Sequence, residues 1–302
     1  MPITTYCILN RNIFAGDASS IHVDLVNKLD IATVRHTQKK PQGLMLIIGN
    51  HGVSKDSLHI LGQQLPRVIN NKTPYIAAFI DDGAKKSFNE SIEIYKEMYP
   101  SELSSEQYRS LNVNEKIAYT LNQTAKKQIN ISLRDLNLSE FSKLYILGHG
   151  AAGLDVIKSG GKTFDVKQIV DTLEENNILS EIKDLRVTSC NSADKNSPKS
   201  MSSRDISEAN EKPGFFSKMI FGDKKSLVEL ISEEVWIRGY TDISVSGYHG
   251  SGVFYNGKDL PLSHLRSSTI PVSDEIKRKE VRVTLHSNLD SNLDSDLDSD
   301  LD

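Results

Sequence analysis

Cysteine is scarce in this chain: Cys7 and Cys190 are the only two among 302 residues, far apart and in unlike contexts. Two such residues cannot build a disulfide framework, and their scarcity points to a reducing compartment. Long apolar runs are missing as well. Nowhere do about 18 apolar residues follow one another, so no membrane span is expected. The start, Met1-Pro2-Ile3-Thr4-Thr5-Tyr6-Cys7, lacks the basic n-region and apolar stretch of a cleavable signal; a protein exported without one would read the same way. Walker and dinucleotide phosphate loops are absent, and so is the Gly-x-Ser-x-Gly elbow of serine hydrolases, although Gly148 to Gly153 superficially resembles an esterase oxyanion loop. Charge of one sign is not in excess. The net charge is −4, and removing the six aspartates of the C-terminal repeat leaves the rest near +2, which does not argue for nucleic acid.

What is present reads as α/β. With 38% hydrophobic and 25% charged residues the composition is that of a soluble globular protein with room for one large or two small domains. Apolar runs at Thr4 to Leu9, Gly43 to Ile48, Tyr75 to Ile80, Leu144 to Leu147, Leu185 to Thr188 and Ile243 to Ser246 read as buried strands. Helical spacing alternates with them over Ser57 to Ile69, Ser87 to Met98, Glu106 to Ile129, Val166 to Glu175 and Lys224 to Glu234. Asp165 is placed as the N-cap of the Val166 helix, and Gly160-Gly161 marks a turn of a small hairpin before it. The expected fold is a mostly parallel sheet flanked by helices, with residues 1–130 as an N-terminal α/β extension that either enlarges the sheet or binds substrate.

Two polar stretches interrupt this pattern. Residues 192–213, rich in Ser, Asn, Lys, Asp and Glu, read as a mobile surface loop within the 131–286 catalytic region. Phe215 to Phe221 reverses that character, as an anchor on the core or as a patch for a partner. Residues 287–302 repeat Ser-Asn-Leu-Asp and Ser-Asp-Leu-Asp. One leucine in four cannot bury enough surface to fold alone, so a disordered acidic tail is expected, either a solvated extension or a recognition or export tail.

The chemistry gathers at two strand ends, Lys143-Leu144-Tyr145-Ile146-Leu147-Gly148-His149-Gly150 and Asp184-Leu185-Arg186-Val187-Thr188-Ser189-Cys190-Asn191. One crossover helix fits between them, so the strands can pair in parallel and bring His149 and Cys190 to one sheet edge. A thiol beside an imidazole is the arrangement of nucleophilic catalysis. The alternatives are a buried strand-end cysteine acting as a small hydrophobe and an ordinary loop histidine. Gly150, lacking Cβ, lets the backbone approach a bound carbonyl, and its N–H with that of Cys190 can form an oxyanion hole. The second His-Gly, Asn50-His51-Gly52, reads as a structural βα turn, because no strand-end cysteine follows it. Zinc binding by His149, Cys190 and His249 lacks the short paired ligand spacing, so no metal is expected.

These strand ends resemble the caspase-like (clan CD) cysteine peptidases. Leu147-Gly148-His149-Gly150 and Val187-Thr188-Ser189-Cys190-Asn191-Ser192 are most similar to the self-processing cysteine protease domains of large bacterial toxins, and the helix and strand after Cys190 follow in the same order, so the resemblance covers roughly 140–258. It implies a cysteine endopeptidase of protein substrates with Cys190 as nucleophile, His149 as acid and base, Gly150 at the oxyanion, and no required third acid. It also implies a bacterial toxin or effector that acts in a host cytosol, cuts after leucine and processes itself. By position Tyr248 and His249 correspond to the wall of the substrate pocket, with a hairpin role for His249 as the alternative. No cofactor is required, but the toxin proteases are activated by inositol hexakisphosphate on a basic surface, for which Lys277, Arg278, Lys279 and Arg282 are the candidate anion-binding residues. The rival readings are a non-catalytic caspase-like binding scaffold and another thiol acyl-transfer activity, deamidation or transglutamination.

Overall fold

The computed structural model describes residues 42–211, 224–256 and 258–287. Its centre is a seven-stranded sheet built from β1 (Gln42–Ile47), β2 (Ile76–Phe79), β3 (Asn130–Ser132), β4 (Phe141–Leu147), β7 (Asp184–Val187), β8 (Ser244–Tyr248) and β12 (Arg282–Leu285), in the order β12-β8-β7-β4-β1-β2-β3. Every pair is parallel except β12 with β8. Residues on β1 alternate between faces, as a strand covered on both sides requires. Leu44 and Leu46 enter one core; Met45 and Ile47 enter the other.

The first core packs beneath α6 (Val166–Glu175), α7 (Ile178–Glu181) and α9 (Leu227–Ile237), through Ile169, Leu173, Leu179, Val228 and Ile231. The opposite core packs beneath α1 (Ser57–Gly62), α2 (Leu65–Ile69), α3 (Asp82–Glu97) and α5 (Val113–Lys127), through Leu61, Leu65, Phe88, Ile117 and Leu121. A short α4 (Ser105–Ser110) precedes α5, and α8 (Ser203–Asn210) follows β7. The chain breaks between α4 and α5 because Asn112 turns extended and forms a capping box with Glu115. Periodicity alone reads that stretch as one helix. Asp165 caps α6 through Gln168 N–H at 2.7 Å, as its sequence position predicts. The hairpin of β5 (Val156–Ser159) and β6 (Lys162–Asp165) turns at Gly160-Gly161, both at positive φ. Away from the main sheet, β9 (Ser251–Val253), β10 (Leu265–Ser267) and β11 (Ile276–Lys277) form an antiparallel sheet in the order β11-β10-β9.

Residues 42–130 are an extension of this sheet, not a separate unit: β1, β2 and β3 continue it beyond β4, and position 130 falls inside β3. The expectation of a mobile loop at 192–213 is corrected for the part described. Ser192, Ala193 and Asp194 are buried, Met201 is buried, and α8 occupies Ser203–Asn210. Polar composition conceals this, because Ser192 and Asp194 are held in place by hydrogen bonds and Ala193 alone enters the core beside them. The run Thr4 to Leu9, Cys7, Phe215 to Phe221 and the repeat from Asn288 lie outside the described residues. No described helix is long and apolar enough to cross a membrane.

Candidate active site

Sheet order decides where a ligand can sit. From β1 the chain winds outward through β2 and β3, then returns to the other side of β1 with β4 and winds the opposite way through β7 and β8. Between β1 and β4 the connections leave in opposite directions, and their carboxyl ends open a crevice. A narrow cleft lies there, lined by Ile47 at the end of β1, Leu147 and His149 at the end of β4, Thr188 and Cys190 after β7, and Asp56 and His59 from the β1 connection. His149 and Cys190 thus share one cleft, as their positions on paired parallel strands predict.

Three contacts shape His149. Its backbone pairs with Lys158 of β5 in both directions at 2.8 Å, which fastens the loop after β4 to the hairpin. Its Nε2 lies 3.0 Å from Asp56 Oδ1, and Asp56 Oδ2 accepts the Gly160 N–H at 2.9 Å. Its ring meets that of His59 edge to face, with centroids 4.7 Å apart. Burial pushes the Asp56 carboxyl up, but the bonds from His149 and Gly160 outweigh it and hold the group below its ordinary value. Burial, reinforced by repulsion from a charged His149, brings His59 down to about 4. His59 is therefore a neutral wall of the cleft at physiological pH.

The turn at Cys190 is equally determined. Cys190 is 8% exposed. Asn191 takes the left-handed region at φ 53, which asparagine tolerates better than most residues, so the chain turns sharply off β7 and leaves Cys190 at the sheet edge. Gly150 lies against this turn: a Cβ there would meet Ser189 Oγ at 2.9 Å and Cys190 O at 3.2 Å. Among the described residues, neither the Gly150 nor the Cys190 N–H donates to a protein acceptor. Ser189 Oγ is buried there with no partner.

The candidate substrate-wall residues lie elsewhere. Tyr248 is 1% exposed, with the guanidinium groups of Arg266 at 4.9 Å and Arg278 at 5.2 Å from its ring centroid, so it is a core residue and not a pocket surface. His249 does not line the cleft. Its Nδ1 is 2.6 Å from Oδ1 of Asp194, whose other oxygen accepts the Gly250 N–H at 2.8 Å, and this is the hairpin role. The segment does reach the cleft at Gly252. His149, Cys190 and His249 are not gathered as ligands: among the described residues no group of three or more His, Cys, Asp or Glu is placed to hold a metal ion.

The basic cluster divides. Lys277, Arg278 and Lys279 line a second cleft of about 1060 Å³ together with Arg67, Lys72 and His264, and no carboxylate residue is in its lining. Arg282 is not in that lining; it lies on β12 and pairs with Tyr248 of β8. Burial, with the nearby Arg278 charge, holds His264 well below its ordinary value, and its Nε2 lies 2.7 Å from Gln63 O.

Asp56, His59, Asp194 and Arg266 are the site residues that sequence reasoning missed. A signal for Asp56 existed in the Asn50-His51-Gly52 turn. Asn50 caps it through Gly52 N–H at 3.1 Å, and the turn leads directly to Asp56 at the carboxyl end of a central strand. Comparison with protein-family models, curated proteins and solved structures finds no match for this chain.

Proposed function

We propose that this chain is a caspase-like cysteine endopeptidase in which Cys190 attacks and His149 moves the proton. The observation that carries the reading is the cleft at the β1/β4 crevice, which holds a thiol and an imidazole whose Nε2 is already engaged by a carboxylate. That bond fixes the ring's orientation and leaves its other nitrogen for proton exchange. The Cys190 thiolate forms a C–S bond with the scissile carbonyl carbon, and the Gly150 and Cys190 N–H groups receive the oxyanion. As the oxyanion collapses, the C–N bond breaks and His149 gives its proton to the departing amine. Water, deprotonated by His149, then hydrolyses the thioester and returns the thiolate. Asp56 is a positioning residue in this scheme.

The carboxylate-free basic cleft supports a polyanionic activator of the inositol hexakisphosphate class, held by Lys277, Lys279, Arg67 and Lys72. Self-processing in the 192–213 loop or at the leucines of the acidic repeat, and action as a bacterial effector in the reducing cytosol of a host, follow from the toxin-protease resemblance. The test is to incubate wild type and Cys190→Ala with a protein mixture, with and without inositol hexakisphosphate, and to sequence new N-termini and weigh the intact chain. New N-termini confined to wild type support the reading. A reactive Cys190 that yields only deamidated or crosslinked side chains replaces it with acyl transfer, and an unreactive Cys190 with a binding scaffold.

A further inference from the structure

Arg266, on β10, is 1% exposed and sits inside the frame of the nucleophile. Its Nη2 donates to Thr188 O at 3.0 Å, and its Nη1 donates to Ser189 O at 3.2 Å and Gly250 O at 3.0 Å. Thr188 and Ser189 lead into Cys190, and Gly250 O also accepts the N–H of Asn191 at 2.8 Å. One guanidinium therefore holds both sides of the turn that presents the thiol.

A guanidinium stays charged at any ordinary pH, and burying that charge is strongly unfavourable unless an opposite charge offsets it. Arg186 shows the usual arrangement: it is 3% exposed and donates to both oxygens of Asp184. Arg266 has no carboxylate in ion-pair contact among the described residues; its hydrogen-bond partners are the three carbonyls. Carbonyls satisfy its donors without supplying charge. The Tyr248 ring contributes only a quadrupole, and Arg278 on the same ring adds charge of the same sign. The Asp194 carboxylate reaches this frame only through the Gly250 N–H, and Cys190, directly after Thr188 and Ser189, is the other group there that can carry a negative charge.

We propose that Arg266 is the resident countercharge of Cys190, locking the nucleophile turn through its carbonyls and holding the cysteine as a thiolate without help from His149. Burial pulls the guanidinium down to about 10, and the strongest influence opposing that is the attraction of a Cys190 thiolate, ahead of Tyr248 and Asp194. The other titratable groups that share the cleft with Cys190 are His149, His59 and Asp56. Arg266 is a positioning residue that sets the charge of the attacking atom, and the inference rests on the reading of Cys190 as nucleophile.

The experiment follows alkylation of Cys190 by iodoacetamide against pH, by mass spectrometry of its peptide, in full-length His149→Ala. The expected midpoint lies at least one unit below the value of about 8.5 for a free cysteine; a midpoint at or above that value overturns the proposal. Adding Arg266→Gln should raise the midpoint by a unit or more, and an unchanged midpoint in a folded double variant also overturns it. If the double variant does not fold, the first arm still decides. Alkylation reads charge and not hydrolysis: a low midpoint in a protein that cleaves nothing removes the peptidase reading alone, and cleavage with an ordinary midpoint removes this proposal alone.

Discussion

Two histidine–aspartate pairs lie on the carboxyl side of the same sheet and differ in almost everything except their chemistry. Asp194 is wholly buried and joins three segments: its Oδ1 meets His249 at 2.6 Å and Asn210 at 3.0 Å, its Oδ2 takes the Gly250 N–H, and its backbone oxygen takes the Gly153 N–H at 2.8 Å. Asp56 is 19% exposed on its side chain, ties only the β5–β6 turn and His149, and opens with that histidine onto the cleft that Cys190 lines. Geometry of the pair alone does not separate the proposed catalytic role from an architectural one. What separates them is the number of segments the carboxylate fastens and whether the imidazole can still meet a substrate.

The sharpest way to break this comparison is to remove each histidine. His149→Ala should lower hydrolysis by about 10³-fold or more, the scale of a lost acid–base group, with thermal unfolding little changed; cleavage assays with calorimetry check both halves. His149→Ala with near-normal turnover would end the distinction. The aspartates come next. Asp194→Ala leaves a half-buried imidazole and amide and the buried Gly250 N–H without their acceptor and should cost about 3 kcal/mol in urea unfolding. Asp56→Ala should cost about 1 kcal/mol while reducing kcat about 10-fold or more through a misoriented ring. Equal losses of stability would show that both pairs are structural.

Acid sharpens the contrast from the side of stability. His59 has a folded value of about 4 against an unfolded value near 6.5. The unfolded chain therefore binds more protons between these values, and stability that is full above pH 6.5 drains as pH falls toward 4, by on the order of 3 kcal/mol. Asp56, whose value is also lowered, extends the loss to still lower pH. Urea midpoints against pH should fall steeply in this window in wild type and less steeply in His59→Leu. A smaller effect separates the basic residues. Lys277→Ala or Lys279→Ala should weaken inositol hexakisphosphate binding about 10-fold, roughly 1.4 kcal/mol, with Arg282→Ala near wild type by calorimetric titration. His249→Gln should change kcat/KM least, by about threefold, roughly 0.7 kcal/mol.

Much of the frame is legible in the amino-acid sequence. The apolar runs at Leu44, Ile76, Leu144, Leu185 and Val245 all form strands; β1, β2 and β4 are apolar on both faces, while β7 and β8 alternate Leu185 and Val245 with the buried polar Arg186 and Ser246. The bounds of α6 follow from Asp165 and the spacing of Ile169, Val170 and Leu173. The elements that periodicity does not reveal include β3 and the β9–β11 sheet, where two or three residues are too few for a period to register, and α8, whose eight residues are mostly polar.

His149 and Cys190 are legible for a related reason: each follows its strand directly, so local sequence places it at the sheet edge and only the parallel pairing of β4 with β7 has to be supplied. Asp56 stands 93 positions from His149, and Arg266 stands 77 from the Ser189 oxygen it holds. The Asn50-His51-Gly52 turn marks where Asp56 emerges but not its partner, and no local pattern marks Arg266, because both partnerships are distances created when β1 inserts beside β4 and when β10 folds back under the Cys190 turn. Tyr248 shows the same limit in reverse: the toxin-protease resemblance implies a pocket wall, and two arginines from later in the chain make it core. Sequence alone determined which residues stand at strand ends, since the period of a strand is a property of neighbours. Tertiary structure decided which charges meet, since burial and countercharge depend on segments that local sequence does not relate.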